Sequence, residues 1–490
     1  MPHPAFSWAL ARQWISQVLR NCLNVRAVRS FFGKAHADRG KERYRRASLT
    51  ASTSILSQAL AVLSSIISVP LTVHYLGPER YGVWLTISSL ITWMTVTDFG
   101  LTGNALVNLI AEASGKDDRN LARQYASSTF WTLIAITTTI AATFVLLFGH
   151  IPWQTVFRVS AATSLDELRA ACALALAIFV LTLPLNMLTA VYNAYQDGFV
   201  ANLWTIAANA IALVSLIVVT QFHGGLPNLV VALSGTRVVV GIANGCYLFF
   251  YRYRWLRPRI SAVRWRHIRR LLSLGSKYMV GQLAALGVGQ SQPMIITQVL
   301  GPSYVPIFVI AHRLITMPQT LVYIATAPFV SAYSEAKARG DWQWIRSAVK
   351  NATIVSLAVG LALVMGLAVA SKPIIRLWAG PATVPDAVLV IWLSAYTVLG
   401  IAVNPSAQML WGLERVGIPV LALAACAVLT VKLEIVFARW WGLSGLSAAM
   451  TVSFLFYCFI QAYEVRRALA SLRLDAVSPG EGCAIETSSA

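Results

Sequence analysis

The sequence predicts an all-α integral membrane protein of about twelve transmembrane helices, arranged as two six-helix bundles related as parallel repeats. Three observations predict it: an apolar composition, a series of long apolar runs, and a repeat that halves the chain. Of 490 residues, 57% are hydrophobic and 12% are charged, against roughly 25% charged in an ordinary soluble domain.

Runs long enough to cross a hydrocarbon core of roughly 30 Å as helices recur from Leu49 to Val465. The predicted spans are 49–74, 82–109, 124–148, 170–193, 199–221 and 227–251, then 273–298, 304–332, 350–370, 385–410, 416–436 and 442–464.

The net charge is +20, from 39 Lys and Arg against 19 Asp and Glu. Such a balance fits either nucleic acid or an anionic lipid surface, and the placement of the charge decides between them. The two tails and the even-numbered loops hold 30 Lys or Arg, counting Lys277 and Lys350 with the loops they adjoin, while the odd-numbered loops hold 6. Basic residues are retained on the cytoplasmic side during insertion, so both termini are expected there. Topology and anionic membrane lipids account for the excess, and no nucleic acid is expected as a partner.

Cys22, Cys172, Cys246, Cys426, Cys458 and Cys483 have no short pair spacing, so neither a disulfide framework nor a zinc site is expected. Residues 1–48 show no cleavable signal and form a basic cytoplasmic arm. Leu10, Trp14, Val18 and Cys22 recur there at helical spacing, with Arg12, Arg20 and Arg26 among them. An interfacial helix and a dispensable extension both remain open for it.

The repeat appears at a shift of 224 residues. Tyr75-Leu76-Gly77-Pro78 returns as Val299-Leu300-Gly301-Pro302, Leu90-Ile91-Thr92 as Leu314-Ile315-Thr316, Gln58 as Gln282 and Ser52 as Ser276. At a shift of 217, Gly225-Leu226 matches Gly442-Leu443 and Asp197 matches Glu414. An even number of spans per half gives both halves the same orientation, with a substrate path between them. The expected organisation is a first bundle over 49–251, a basic linker over 252–272, a second bundle over 273–465 and a cytoplasmic tail over 466–490. Seven arginines between Arg254 and Arg270 crowd the linker, which reads as a topogenic, lipid-contacting surface segment.

No phosphate-cradling glycine loop, His-Glu-x-x-His or Gly-x-Ser-x-Gly occurs, so no enzyme activity and no cofactor are expected. Asp117-Asp118 lies among Lys116, Arg119 and Arg123 and reads as a solvated loop or helix cap. The longest odd-numbered loop, Gly149–Arg169, is too short for a catalytic domain, which weighs against a membrane glycosyltransferase or polysaccharide polymerase.

Ionisable groups inside spans carry the chemistry, because a charge near mid-bilayer costs roughly 2.5–3.5 kcal/mol even on insertion scales. They are Arg237, His312, Arg313, Lys432 and Glu434, with Asp98 nearer a span end. Arg237, Arg313 and Lys432 are candidates to line one cationic cavity that attracts an anionic substrate. Lys432 also sits where it could snorkel. Lys432 and Glu434 are two apart and face different sides of their helix. Asn104, Asn108, Asn244, Gln282, Gln290, Gln292, Gln298 and Asn404 are among the amides in or beside spans, either joining helices or meeting sugar hydroxyls. Pro70, Pro184, Pro293, Pro318, Pro328 and Pro405 lie within spans, where they favour kinks.

At Tyr75-Leu76-Gly77-Pro78-Glu79-Arg80-Tyr81-Gly82-Val83-Trp84 and Asp98-Phe99-Gly100-Leu101, the sequence resembles the Wzx-type polysaccharide flippases. These belong to the multidrug/oligosaccharidyl-lipid/polysaccharide exporter superfamily. The resemblance implies flipping of undecaprenyl-pyrophosphate-linked oligosaccharide from the cytoplasmic to the periplasmic leaflet of a bacterial inner membrane. Its products would be O-antigen (hence lipopolysaccharide), capsule or exopolysaccharide. It also implies alternating access coupled to an ion gradient, and a polymerase and chain-length regulator as pathway partners. Under it, Arg237, Arg313 and Lys432 would attract the cargo, and Asp98, Glu434 and His312 are candidates for ion coupling. A multidrug exporter is the rival within the fold, although such exporters present acidic groups to their cargo. A lipid II flippase is another, but those typically add two further helices, and 466–490 has no apolar run.

Overall fold

The computed structural model describes residues 39–159, 164–222 and 225–477. The expectation for the 1–48 arm lies almost wholly outside the described residues. Among the described residues every long element is helical, and eight helices are long and apolar enough to cross a membrane, nine if one pair bent by 41° is a single span. Two of the eight are double. Ser52–Asp98 contains the non-helical Gly77, and Gly417–Ala470 contains the non-helical Trp441 and Gly442. Counting each leg, and adding the more polar helix Trp265–Gly289, gives twelve spans. The chain is a multi-pass membrane protein.

The first two spans are the legs of Arg39–Met94. The third is Arg119–Leu147, and the fourth is Leu165–Leu185 continued by Met187–Ala194. The fifth is Gly198–Gln221, and the sixth runs from Leu226 to Arg252 through two π-helical turns. The seventh lies in the helix Trp265–Gly289, whose first turns, 265–272, belong to the basic linker, and continues in Gln292–Val299, and the eighth is Val305–Ile315 with Met317–Thr326. The ninth is Trp342–Trp378 and the tenth Ala387–Gly412, while Gly417–Val477 supplies the last two.

Local backbone geometry repeats with the sequence. Gly77 has φ 75° and ψ 167°, and Gly301, 224 residues on, has φ 109° and ψ 158°. A side chain rarely adopts such angles, and the proline that follows each glycine starts the next helix. The turns into the third and ninth spans also correspond. Asp118 caps one helix by accepting the Leu121 N–H at 2.9 Å, and Asp341 caps the other by accepting the Trp344 N–H at 3.1 Å. Asp117-Asp118 is thus a turn and helix cap.

One expected match shifts by a residue. Gln196 and Glu414 share left-handed angles, φ 57° and 61°. The flanking bonds pair Asp197 N–H to Tyr192 O in one half and Arg415 N–H to Leu410 O in the other. Asp197 therefore corresponds to Arg415, not Glu414. This correction matters because Asp197 is fully buried. It accepts from Arg252 Nη2 at 2.6 Å and from the Tyr253 hydroxyl at 2.7 Å.

The second and seventh spans pack antiparallel across the seam between the halves. The Thr86 and Thr297 hydroxyls are 2.6 Å apart, and Ser89 Oγ and Trp93 Nε1 donate to Gln290 O at 2.6 and 3.1 Å. At the linker end, a Cβ placed on Gly275 would stand 2.3 Å from the Phe99 carbonyl oxygen, so two backbones touch there. At the opposite end, Arg158 Nη1 donates to Gln298 O at 2.5 Å, and Gln298 donates back to Val156 O.

The basic linker is strapped along the third span. Arg123 Nε donates to Trp255 O at 2.6 Å, and the Arg259 N–H donates to Ser127 Oγ at 3.1 Å. His267 Nε2 lies 2.9 Å from Gln124 Oε1, and Arg270 bonds both the Tyr125 hydroxyl and Glu112 at 2.9 Å.

Candidate functional site

The structure does not gather the six ionisable candidates into one cavity. Arg313 lies on the seam. Its Nη1 donates to Ser65 Oγ of the first span at 2.5 Å, the side chain is exposed, and no acidic partner stands beside it among the described residues. The only bond it makes here is to a hydroxyl, so most of its donors remain open to an arriving anion.

Arg237 is in a different place. The apolar exposed stripe of the sixth span is Val239, Ile242 and Cys246. Arg237 lies on the opposite face, in register with Gly241, which meets Leu185 of the fourth span, and with Asn244, which accepts from the Tyr192 hydroxyl at 2.7 Å. Its side chain is nevertheless exposed. Arg237 is thus a second accessible cation, carried on the face of the sixth span that meets the fourth.

Lys432 belongs to neither region. It falls on the exposed stripe of the eleventh span with Leu421, Ala425, Val428 and Val436, spaced by three or four residues. On that stripe its neighbours are apolar, a setting in which a lysine can snorkel along the helix.

Glu434 lies on the opposite, buried stripe and is fully enclosed. Ser291 Oγ donates to its Oε2 at 3.0 Å and Gln292 Nε2 donates to its Oε1 at 2.7 Å. Both donors come from the point where the seventh span breaks between Gly289 and Gln292, ahead of Pro293. No cation pairs with this carboxylate among the described residues, and an uncompensated buried charge is costly. His312 is in the same half, stacked on Phe308 at 5.5 Å and 6.3 Å from the ring of Tyr396.

Asp98 is committed to its own turn. Its Oδ1 accepts the Gly100 N–H at 2.8 Å, and its Oδ2 accepts the Thr102 N–H at 3.2 Å and the Thr102 hydroxyl. These bonds hold Phe99 in the left-handed region, φ 53°, beside the contact with Gly275.

Sequence reasoning counted Gln292 only among many amides and missed Ser291 and Tyr396. The signal for Ser291 and Gln292 was Pro293, which ends helical pairing just where polar side chains can turn toward a neighbouring helix. No cluster of three or more His, Cys, Asp or Glu suited to a metal occurs among the described residues.

Twelve spans among the described residues, in two halves joined along a seam, define a class of multi-pass membrane proteins built from parallel repeats. Residues 50–334, more than half of the chain, match the family described as polysaccharide biosynthesis protein, and the chain belongs to that family. The fold is similar to the inward-facing conformation of a multidrug resistance MATE family transporter of the MOP superfamily. The TM-score is 0.72 at 16% identity, over 85% of this chain and 96% of that one. It is also similar to the lipid II flippase MurJ in its inward closed conformation, with a TM-score of 0.65 at 14% identity over 88% and 90% of the two chains. A third similar structure is a MOP superfamily transporter from Pyrococcus furiosus, described as having a binding pocket of reverse polarity. Its TM-score is 0.57 at 16% identity over 88% and 96%. No curated protein matches the sequence.

Proposed function

We propose that this protein flips undecaprenyl-pyrophosphate-linked oligosaccharide from the cytoplasmic to the periplasmic leaflet of a bacterial inner membrane. The translocated units supply O-antigen, capsule or exopolysaccharide, and the protein itself catalyses no covalent step. In this reading the linker end and both termini are cytoplasmic, as the charge distribution supports. The family supports a role in polysaccharide biosynthesis, and the fold supports alternating access of the two halves.

The observation that carries the reading is Arg313, an accessible guanidinium on the seam without an acidic partner among the described residues. A planar guanidinium can donate two parallel hydrogen bonds to a phosphate, which suits a pyrophosphate headgroup and repels a cationic drug. Arg237 offers a second cation within the first half. Glu434 is the group we assign to ion coupling, because a buried carboxylate without a cation is stabilised whenever a proton or cation arrives.

Deleting the gene tests this. Lipid-linked oligosaccharide should accumulate on the cytoplasmic leaflet while its synthesis continues, and surface polysaccharide should fall. Normal surface polysaccharide in the deletion strain, with no second flippase gene present, would refute the assignment.

A further inference from the structure

We propose that Arg254 and Arg257, at the linker end of the sixth span, form a binding site for the headgroup phosphate of an anionic phospholipid. The last turn of that span, Tyr247–Arg252, is π-helical, and its final carbonyls have no intrahelical partners. Arg254 Nε donates to Phe250 O at 2.7 Å and Arg257 Nε donates to Phe249 O at 3.0 Å. The Arg257 guanidinium also lies over the Phe250 ring, 4.3 Å from its centroid.

Two guanidiniums are therefore anchored through Nε on adjacent carbonyls, which leaves both pairs of Nη groups directed away from the helix end. Both side chains are exposed, and neither has an acidic partner among the described residues. Arg252 is spent on Asp197 and Arg270 on Glu112. Two guanidiniums anchored on adjacent carbonyls attract an anion, and the planar fork fits the paired oxygens of a phosphate.

The surroundings select a lipid over a soluble anion. Tyr251, Ile260 and Trp265 are 71%, 68% and 73% exposed in the same segment. Side chains of this kind settle at the boundary between headgroups and hydrocarbon, which sets the two arginines at headgroup level. The site is independent of the flippase reading, since it rests on contacts at the end of the sixth span alone.

The test uses the purified full-length chain in detergent, titrated separately with phosphatidylglycerol, phosphatidylcholine and inorganic pyrophosphate while the thermal unfolding midpoint is followed. Phosphatidylglycerol should raise the midpoint of the natural protein, and phosphatidylcholine should not. The double variant Arg254→Gln, Arg257→Gln should bind phosphatidylglycerol about tenfold or more weakly, whereas Arg466→Gln, Arg467→Gln should leave binding unchanged. Arg254→Lys, Arg257→Lys keeps the charge but loses the Nε anchor, and should fall between. Equal binding by the Gln double variant and the natural protein would overturn the proposal. So would an equal response to phosphatidylcholine, or a response to pyrophosphate alone.

Discussion

Ile66 and Gln290 stand at equivalent places in the two repeats, and the backbone carbonyl of each accepts an indole N–H from the opposite half. Trp378 Nε1 reaches Ile66 O at 2.7 Å and Trp93 Nε1 reaches Gln290 O at 3.1 Å. Both carbonyls lie next to a break. Pro70 supplies no N–H to Ile66, and the seventh span interrupts at Gln290. In a bilayer such freed groups must find partners inside the protein, and here the partners tie the halves together.

The two indoles should not be equally important. Gln290 O keeps the Ser89 hydroxyl if Trp93 is replaced, whereas Ile66 O lacks its usual helical donor because that residue is Pro70. Trp378→Phe should therefore lower stability in detergent by about 1 kcal/mol or more, and Trp93→Phe by about half that. Thermal unfolding of the two purified variants decides it, and the reverse order would be the wrong result.

Gly100 and Gly275 let two backbones meet at the linker end of the seam, with a Cβ on Gly275 only 2.3 Å from Phe99 O. Gly275→Ala should cost about 1–3 kcal/mol against this arrangement, enough to shift populations about tenfold. The readout is cross-linking between cysteines placed at Asn108 and Tyr278, whose side chains bond at 3.1 Å. Cross-linking should drop sharply in the alanine variant, and an unchanged yield would show that the seam tolerates a wider spacing.

The fold was legible because its signals are local. Apolar runs mark the spans, and Leu76-Gly77-Pro78 against Leu300-Gly301-Pro302 marks the repeat through a backbone conformation that few other sequences serve. The Asp197 register was misread by one because the turn at Gln196 and Glu414 is set by hydrogen bonding rather than by side-chain identity. The site was only half legible. Depth alone pointed to Arg237, Arg313 and Lys432, but direction separates them, and direction depends on which stripe of the helix meets lipid. For Lys432 the stripe could be read from Leu421, Val428 and Val436. For Glu434 and its partners Ser291 and Gln292, two distant helices had to be brought together first.

Those directions order the cationic variants. Arg313→Ala removes a seam cation that has no acidic partner among the described residues and should reduce export about tenfold or more, with Arg313→Lys retaining part of it as a point charge. Arg237→Ala should impair export less, because it lies within one half. Lys432→Ala should be near neutral. Export per unit of membrane protein, measured as surface polysaccharide in the deletion strain, gives the ranking. Wild-type export by Arg313→Ala would remove the seam from the substrate path.

The strap between linker and third span should depend on pH through His267. Its ring packs edge-on against Tyr125 at 4.7 Å, and partial burial, followed by the charges of Arg266, Arg270 and Arg264, holds its pKa below the usual histidine value. A depressed folded-state pKa means that the neutral ring is the one the fold favours. The stability it adds is present above the unfolded value of about 6.5 and is lost as the pH falls through the folded value. The protection of residues 255–270 against hydrogen exchange, taken relative to the intrinsic rate at each pH, should therefore fall between about pH 7 and pH 5, and His267→Gln should flatten that dependence. Identical profiles for the two proteins would exclude His267 as the cause.

Glu434 permits the sharpest separation of a structural from a coupling role. Its carboxylate is fully buried, with Gln292 and Ser291 as donors at the seventh-span break and no cation among the described residues. A group that merely held the break together would be replaceable by an amide, since Gln can still accept the Ser291 hydroxyl, and removing an unpaired buried charge is often neutral or stabilising. Glu434→Gln should thus leave the unfolding midpoint unchanged or raised. A coupling group behaves differently, because the amide can neither bind and release a proton nor balance a cation. Export by Glu434→Gln should fall about tenfold or more, and collapsing the proton or sodium gradient should reduce it no further. Glu434→Asp keeps the charge but draws it back from Gln292, so it should retain partial, still gradient-dependent export. Gradient-dependent export by Glu434→Gln at the natural rate and matched membrane abundance would sink the coupling role, leaving Glu434 as a brace for the broken helix.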